Sequence, residues 1–270
     1  MKITLKGDVR EFEAPKTALE IAASLSQALK KEALAVKVDG EVQGLTTVID
    51  RDCALEFLTF ADEEGRRVYR HTASHVMAQA VKALWPEAKL AIGPAIENGF
   101  YYDFDCDTAF STEDFKKIEK EMERIVKANY PIVRSEKPRA EAIAYMQEKG
   151  EPYKVELIED LPEDAVISFY TQGDFTDLCA GPHLPSTGYV KAVKIMSVAG
   201  AYWRGSEKNK MLQRLYATAF PKKADLDAYV QQLEEAKKRD HRRLGRELDL
   251  FDVRDEGPGF PFFYPKGMIL

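Results

Sequence analysis

A charged stretch, ADEEGRR at residues 61–67, divides the sequence into two parts with different patterns. Before it, short alternating segments such as MKITLKG and REFEA are typical of strands, and TALEIAASLSQALKKE is typical of a helix. After it, longer helical periodicities dominate. We interpret residues 61–67 as a linker between a compact unit over 1–60 and a larger second unit that opens with a helix. A length of 270 residues accommodates two ordinary domains with real cores.

The first part has the predicted order ββαβββ. Thr17 and Glu20 have the spacing of a helix capping box, and Asp39-Gly40 is typical of a tight turn between strands. This order predicts a small half-open sheet curled over one helix. The segment offers no obvious catalytic group, so a binding or docking role is the default expectation.

Composition indicates a globular protein, with 45% hydrophobic and 31% charged residues. No apolar run approaches the roughly 18–20 residues of a membrane span, and the N-terminus lacks the apolar core of a signal peptide. Three widely spaced cysteines do not form a disulfide framework and favour a cytoplasmic location. A net charge of −6 argues weakly against nucleic-acid binding. The segment 237–246 is locally basic, however, and could contact phosphates or simply be a solvated helix face.

The larger part mixes helices and strands, so we predict an α+β fold. Helices are predicted at 70–86, 111–130, 138–150, 151–162 and 223–246, and strands within 89–105, 165–190 and 195–220. Pro86 should stop the first helix, Ser111 with Asp114 should cap the second, and Pro152 should open the fourth. The last segment, 247–270, is apolar and aromatic, and we expect it to begin a further domain of a longer protein.

Two pairs of side chains suggest chemistry. His71 and His75 are four residues apart on a predicted helix and should share one face. Cys179 and His183 are also four apart, but Gly181-Pro182 excludes a regular helix, so a turn must fold them together. The four side chains would make a plausible tetrahedral zinc set. A metal-free polar catalytic pocket and simple structural packing are the alternatives.

Four segments, RHTASHVMAQAVKALWP, AIGPAIENGFYYDFD, DLCAGPH and AGAYWRGSEKNKMLQRLYATAF, resemble the N-terminal half of bacterial-type threonyl-tRNA synthetases. The resemblance implies a ubiquitin-like TGS domain of β-grasp type over 1–62 and a tRNA editing domain over 63–222. It further implies a linker helix over 223–246 and the start of a class II catalytic domain over 247–270. Ser74, Val76 and Met77 depart from the family's usual residues, but they are near-isosteric.

The resemblance implies hydrolytic editing of seryl-tRNA mischarged on threonine tRNA, within a threonine-tRNA ligase of protein biosynthesis. Aminoacylation, with its ATP and zinc, would belong to a domain outside these residues. The residues that match the family's pocket are His71, His75, Lys154 and His183 as catalytic groups, and Tyr102, Asp177 and Cys179 as substrate-binding groups. Cys179 is expected to shape the pocket wall rather than act as a nucleophile.

The implied partner is the acceptor end of a threonine tRNA. Candidate contacts are Arg204, Lys208, Lys210 and Arg214, together with the basic helix. No cofactor is expected for editing, although zinc at His71, His75, Cys179 and His183 is an alternative. We expect residues 1–270 alone to be monomeric. The full-length synthetase is expected to be a homodimer. A zinc-dependent hydrolase of unrelated substrate and a non-catalytic tRNA-binding module are the competing hypotheses.

Overall fold

The computed structural model describes residues 1–5, 7–13, 15–239, 241–254 and 257–269. Helices and several separate sheets occur along the chain, which confirms the predicted α+β class. Two compact units are present, Met1–Lys222 and the residues from Lys223 onward. No helix among the described residues is both long and apolar enough to cross a bilayer.

The chain begins with a five-stranded sheet and two short helices. Its elements are β1 Lys2–Leu5, β2 Asp8–Glu11, β3 Lys16–Thr17, α1 Ala18–Leu25, α2 Gln27–Glu32, β4 Ala35–Val38, β5 Glu41–Gln43, β6 Val48–Ile49 and β7 Cys53–Leu58. The sheet has the order β2-β1-β7-β4-β5, in which only the central pair β1–β7 is parallel, while β3 and β6 form a separate pair. We call this sheet with its helices the first sheet domain. The predicted half-open sheet over a helix is confirmed, with α2 as an addition.

Local signals explain these elements. The Glu20 N–H donates to Thr17 Oγ1 at 3.2 Å and the Thr17 N–H donates to Glu20 Oε2 at 2.7 Å, which is the predicted capping box of α1. Extended backbone at Ser26 then ends α1 and caps α2. At the β4–β5 turn, Asp39 and Gly40 have φ of 51° and 92°, the left-handed conformation that a two-residue hairpin loop requires.

The predicted linker at 61–67 is wrong, because helix α3 (Glu63–Leu84) starts inside it. The Asp62 carboxylate accepts hydrogen bonds from the backbone N–H and the hydroxyl of Thr59 at 2.7 and 3.0 Å. Glu63 and Glu64 lie in the first turn, where the helix dipole favours negative charge. Gly65 packs directly on Thr59, whose carbonyl oxygen would lie 2.0 Å from an added Cβ. The charged residues therefore form a fixed junction.

Helix α3 is the central element of the larger part. It ends at Leu84 with Trp85 as its C-cap, just before Pro86, as predicted. Val76, Ala80 and Val81 are fully buried in the large core, whereas Leu84 is 39% exposed. Leu34, Ala35 and Leu58 of the first sheet domain belong to the same core. The first sheet domain and α3 are thus held together by shared apolar packing.

Further elements surround α3. They are β8 Lys89–Leu90, β9 Ala95–Ile96, β10 Gly99–Asp105, α4 Thr112–Ala128, β11 Ile132–Glu136, α5 Arg139–Glu148, α6 Pro152–Glu159, β12 Ser168–Gln172, β13 Phe175–Leu178, β14 Ala192–Tyr202 and β15 Met211–Phe220. The strands form an antiparallel sheet of order β14-β15-β10-β8, with β9 beside β10, and a three-stranded sheet of order β11-β12-β13. Asp114 accepts from the Ser111 N–H at 3.0 Å to cap α4, and Pro152 opens α6, both as predicted.

The unit from Lys223 onward contains α7 Lys223–Lys238, α8 His241–Glu247 and a strand pair, β16 Phe251–Val253 with β17 Pro261–Phe263. The single linker helix predicted over 223–246 is thus described as two helices, and residue 240 between them lies outside the described residues. Phe260, Met268 and Ile269 are strongly exposed here.

Candidate functional site

Helix α3 brings His71 and His75 to one face, as their spacing predicts. Their ring centroids are 5.1 Å apart. The ring of His183 lies 4.4 Å from that of His71 and 4.3 Å from that of His75, so the three imidazoles form one cluster. Residues a hundred positions apart in the sequence therefore meet in one place.

The loop after β13 places Cys179 and His183 against this helix face. Cys179 Sγ lies 3.3 Å from the Nε2 atoms of both His71 and His183. Gly181 has φ of 75°, and an added Cβ there would lie 2.0 Å from the hydroxyl of Tyr170, so glycine is required by conformation and by space. The predicted turn that folds Cys179 and His183 toward each other is confirmed.

Thr72, which the sequence reasoning missed, holds His183 in place. Its Oγ1 donates to the Val68 carbonyl at 2.9 Å, accepts from the Leu184 N–H at 3.0 Å and lies 3.1 Å from His183 Nδ1. A hydroxyl has one proton to donate. The arrangement that satisfies all three contacts puts a proton on His183 Nδ1 and leaves Nε2, near Cys179, as an acceptor. Thr72 follows His71 directly in the sequence, but that position alone does not reveal its contact with His183, 111 residues away.

A second cluster of polar groups adjoins the imidazoles. Lys154 Nζ on α6 lies 2.7 Å from Asp177 Oδ1 on β13 and donates to the Tyr102 hydroxyl on β10 at 3.0 Å. The Tyr102 hydroxyl donates to Asp177 Oδ2 at 2.5 Å, and His75 Nε2 is 3.8 Å from that same oxygen. The Lys154 and Asp177 side chains are 4% and 2% exposed. The structure therefore brings together all seven residues predicted as catalytic or substrate-binding, and we call this group the pocket.

Burial controls protonation in the pocket. It lowers the pKa of His71 to about 4 and holds the pKa values of His75 and His183 well below their usual range. Burial raises the pKa of the Cys179 thiol to about 12 and the pKa of Tyr102 well above its usual value. At neutral pH the pocket therefore holds three neutral imidazoles, a thiol and a phenol beside the Lys154–Asp177 ion pair.

This arrangement has the groups that hydrolysis of an activated ester needs. A neutral imidazole can accept a proton from water. Lys154 and Tyr102 can donate hydrogen bonds to an oxygen that gains negative charge. Asp177 offers a buried carboxylate that can bind a cationic group.

The same residues fit a zinc ion. The ligand atoms of His71, His75, Cys179 and His183 lie within 4.8 Å of one another. The 3.3 Å separation of Cys179 Sγ from two Nε2 atoms is close to the edge of a tetrahedral site, about 3.5 Å for ordinary zinc bond lengths. Bound zinc would lower the pKa of a coordinated water, and Cys179 would have to lose its proton to serve as a ligand.

A cavity of about 350 Å³ borders the pocket at His71, which lines both, and we call it the mouth cavity. It is lined by Val42, Glu64, Arg67, Val68, His71, Pro94, Ala95, Gly181 and Pro182. Val42 comes from β5 of the first sheet domain. Next to it, an added Cβ on Gly44 would lie 3.2 Å from the carbonyl oxygen of His183. The first sheet domain thus forms part of the surroundings of the pocket.

The four residues predicted to contact tRNA lie elsewhere, on β15 and its connection with β14. Arg204 pairs with Asp160 at 2.5 Å, and Lys210 pairs with Asp105 at 2.7 Å. Arg214 pairs with Asp103 through two nitrogens, at 2.7 and 2.8 Å, while Lys208 is exposed. An RNA phosphate would compete with a carboxylate for three of these four cations.

Comparisons with known proteins find two matching domain families and several similar proteins. Residues 1–59 match the TGS domain, and residues 167–216 match the threonyl and alanyl tRNA synthetase second additional domain. The chain is 65% identical to a threonine--tRNA ligase of Acetivibrio thermocellus over 271 aligned residues, which cover the whole chain and 43% of that relative. A threonine--tRNA ligase of Clostridium acetobutylicum is 64% identical over the whole chain and 42% of its own length. The chain therefore spans less than half the length of these relatives.

Proposed function

We propose that the pocket edits mischarged tRNA, because the whole chain matches the N-terminal part of threonine--tRNA ligases. The proposed reaction is hydrolysis of the ester between serine and threonine tRNA. One observation carries the proposal: three neutral imidazoles adjoin the Lys154–Asp177 pair and Tyr102 in one buried site.

Each group has a role in the proposed reaction. His71 or His183 orients water and accepts its proton as the water oxygen attacks the ester carbonyl. The bond between the carbonyl carbon and the ribose oxygen then breaks, and the ribose oxygen takes a proton, which Lys154 helps to deliver. Asp177 binds the α-ammonium group of serine, and Tyr102 bounds the pocket. His75 lies between the water-handling groups and Asp177.

In this proposal Cys179 lines the pocket and limits its size, and it does not react with the substrate. Its thiol is protonated at neutral pH because burial raises its pKa to about 12, which disfavours a nucleophilic role. Serine and threonine differ by one methyl group, which a single binding site discriminates by only about 1–3 kcal/mol. A second pocket that admits serine and excludes the extra methyl would supply the missing discrimination.

The proposed domain roles follow the family. Residues 1–62 form the TGS domain and 63–222 the editing domain, which together would hold the tRNA acceptor arm. Residues 223–246 would connect them to the class II catalytic domain that begins at 247–270 and uses ATP and zinc for aminoacylation. The proposed setting is cytoplasmic protein synthesis, and editing itself needs no cofactor in this proposal.

The test is deacylation of seryl-tRNA and threonyl-tRNA by the 270-residue chain. We expect hydrolysis of the serine ester and sparing of the threonine ester. His71→Ala and His183→Ala should each lower the rate at least about 100-fold, the usual contribution of a positioned acid or base. Lys120→Ala, on the exposed side of α4, is the matched control and should leave the rate unchanged. Parent-level hydrolysis by both histidine variants, with unchanged circular dichroism, would overturn the assignment.

The four-ligand geometry favours a second candidate, a zinc-dependent hydrolase of another ester or amide. Protein purified without added metal would then contain stoichiometric zinc, and a chelator would remove zinc and activity together. Full deacylation by zinc-free protein excludes this candidate. Binding of tRNA without any deacylation would instead indicate a non-catalytic tRNA-binding module.

A further inference from the structure

Four side chains at the pocket lie in hydrogen-bond contact one after another. We call them the hydrogen-bond row: Thr72, His183, Cys179 and His71. At its first member, the hydroxyl oxygen lies 2.9 Å from the Val68 carbonyl oxygen, 3.0 Å from the Leu184 nitrogen and 3.1 Å from His183 Nδ1. The carbonyl can only accept and the Leu184 N–H can only donate. The hydroxyl hydrogen of Thr72 therefore points to Val68, and its oxygen accepts from Leu184 and from a proton on His183 Nδ1.

His183 transmits this direction to Cys179. Because burial holds its pKa well below the usual range, His183 is neutral at pH 7 and has one ring proton. A proton on Nδ1 leaves a lone pair on Nε2, which lies 3.3 Å from Cys179 Sγ, so the thiol is the donor at this contact. The sulfur in turn accepts from the Gly181 N–H at 3.2 Å. A ring turned by 180° would place carbon atoms at both contacts, so the two hydrogen bonds also fix the orientation of His183.

His71 is the last member of the hydrogen-bond row. Its Nε2 also lies 3.3 Å from Cys179 Sγ. Because the single thiol hydrogen is directed at His183, His71 must supply the hydrogen at this second contact. Its ring proton is then on Nε2, and its Nδ1 has a free lone pair. His71 is half-buried and lines the mouth cavity, whereas His183 is 4% exposed, so His71 is the imidazole that water reaches more easily.

We propose that Thr72 is a positioning residue that sets the direction of the hydrogen-bond row and thereby leaves His71 Nδ1 as the proton acceptor for water. The second part rests on the proposed function, in which His71 and His183 are alternatives for that role. In the opposite direction, Thr72 would donate to His183, the thiol would donate to His71, and His71 Nδ1 would carry a proton. Neither of these two imidazoles would then have a nitrogen free to accept a proton from water.

The hydrogen-bond row also stabilises the charge that forms on His71 in the proposed reaction. A proton moves from the water oxygen to His71 Nδ1 while that oxygen forms its bond to the ester carbonyl carbon. The Nε2–H of the resulting imidazolium then makes a charge-assisted hydrogen bond to Cys179 Sγ. The negative charge of Asp177 favours the same cation. Cys179 keeps its hydrogen throughout and contributes as a hydrogen-bonding link.

The experiment determines the positions of the ring protons directly. The 270-residue chain is labelled with 15N-histidine and treated with a chelator, and NMR near neutral pH distinguishes protonated from unprotonated ring nitrogens. Replacing each histidine in turn by glutamine assigns its signals. We expect protons on Nδ1 of His183 and on Nε2 of His71. The reverse pattern, or an even mixture of the two patterns, would overturn the proposal without the need for any variant of Thr72.

Variants of Thr72 test whether its hydroxyl sets the direction. Thr72→Val keeps the shape but removes the hydroxyl, so His183 should lose its single tautomer. Its kcat for seryl-tRNA should fall about 10-fold with a smaller change in KM, because the proton acceptor is no longer held in one form. Thr72→Ser keeps the hydroxyl and should retain the proton pattern and most of kcat. Thr112→Val, exposed on α4, is the matched control and should change neither. A Thr72→Val protein with the parental tautomers and kcat would contradict the role of the hydroxyl.

Cys179→Ala separates the two halves of the hydrogen-bond row. The His183 proton should stay on Nδ1 in this variant, because Thr72 still accepts it. His71 should lose its preference for a proton on Nε2, since the sulfur that accepts that proton is absent. Loss of the His183 tautomer in Cys179→Ala would show that Thr72 does not set the direction.

The proton positions do not depend on activity, which separates this inference from the proposed function. If the expected pattern is found and seryl-tRNA is not hydrolysed, the proposed function is wrong and the direction of the hydrogen-bond row stands. If seryl-tRNA is hydrolysed and the pattern is reversed, the inference is wrong and the proposed function stands.

Discussion

The imidazoles of the pocket are neutral because the fold buries them. His75 and His183 are 4% exposed, and the positive charge of Lys154 further disfavours a second cation at His75. A protonated imidazole in this position would lose much of its hydration. The residues that are proposed to handle water are therefore kept in their basic form well below neutral pH.

Acid should destabilise the fold through His71. An unfolded histidine takes up a proton near pH 6.5, whereas the pKa of folded His71 is about 4, so the free energy of unfolding falls as the pH drops between these values. At pH 5 the loss from His71 alone is about 2 kcal/mol. Urea unfolding at pH 7.5 and pH 5 should show His71→Gln losing less stability than the parent chain.

His241→Gln is the control for this measurement, because it removes an exposed histidine. Its stability loss between the two pH values should equal that of the parent. An unchanged loss in His71→Gln would contradict the burial argument.

The N-terminus of α6 determines where Lys154 lies. Glu151, 4% exposed, accepts from the Leu90 N–H at 2.6 Å and pairs with Lys82 of α3 at 2.8 Å. Its carbonyl accepts the Lys154 N–H at 3.1 Å. Glu151 therefore attaches the first turn of α6 to both β8 and α3, and it acts on the pocket as a positioning residue.

Removing this attachment should reduce kcat strongly and change KM only slightly. Glu151→Ala leaves the buried Leu90 N–H without its acceptor and should cost about 1–3 kcal/mol of unfolding free energy. We expect kcat for seryl-tRNA hydrolysis to fall at least 10-fold with a smaller change in KM, because Lys154 loses its fixed position. Glu151→Gln keeps an acceptor for the Leu90 N–H. Its free energy of unfolding and its kcat should therefore fall less than those of Glu151→Ala.

Glu159→Gln, exposed at the end of the same helix, is the matched control. A Glu151→Ala protein with the expected stability loss and parental kcat would show that Glu151 supports the fold only.

Local signals predicted the helices but not their tertiary attachments. The capping pairs Thr17–Glu20 and Ser111–Asp114 and the proline at 152 identified helix starts correctly, since each acts within one turn. Residues 61–67 were mistaken for a linker because a charged first helical turn and a solvated linker have the same composition. The contact of Gly65 with Thr59, which distinguishes the two, depends on packing.

At the candidate site, too, the sequence indicated the residues but not the tertiary contacts that hold them in place. Spacing on α3 and the family resemblance indicated the seven pocket residues, and their proposed roles remain predictions. Thr72 and Glu151 were missed, because their contacts with His183 and Lys82 join segments far apart in sequence and belong to no motif.

At the scale of the whole molecule, the TGS domain and the pocket share one core. Leu34 and Leu58 pack in the same cluster as Val68 of α3 and Phe175 of β13. Lys37 and Glu64 add an ion pair between the two domains at 2.8 Å. The residues 1–222 therefore behave as one compact unit.

Deletion of residues 1–59 should destabilise the pocket, in addition to any loss of the proposed tRNA contact. Each buried side chain that is re-exposed on α3 or its neighbours costs about 1.5–3 kcal/mol. We expect the shortened chain to bind a hydrophobic dye and to melt at a lower temperature than the parent. Leu58→Ala in the intact chain should lower stability by about 2–5 kcal/mol, while Val9→Ala, 60% exposed on β2, should be nearly neutral. A deletion protein with the parental melting temperature would contradict the shared core.

The close contact between Gly65 and Thr59 also makes the length of the junction matter. Each residue of an α-helix advances its direction by about 100°, so the number of residues from the end of β7 to His71 sets the angle at which the imidazoles leave α3. Because Gly65 packs directly against the Thr59 backbone, the junction has no room for an extra residue. One residue gained or lost here would rotate His71 and His75 away from Cys179 while leaving every pocket residue present. The junction thus works as a spacer whose length is specified to the single residue.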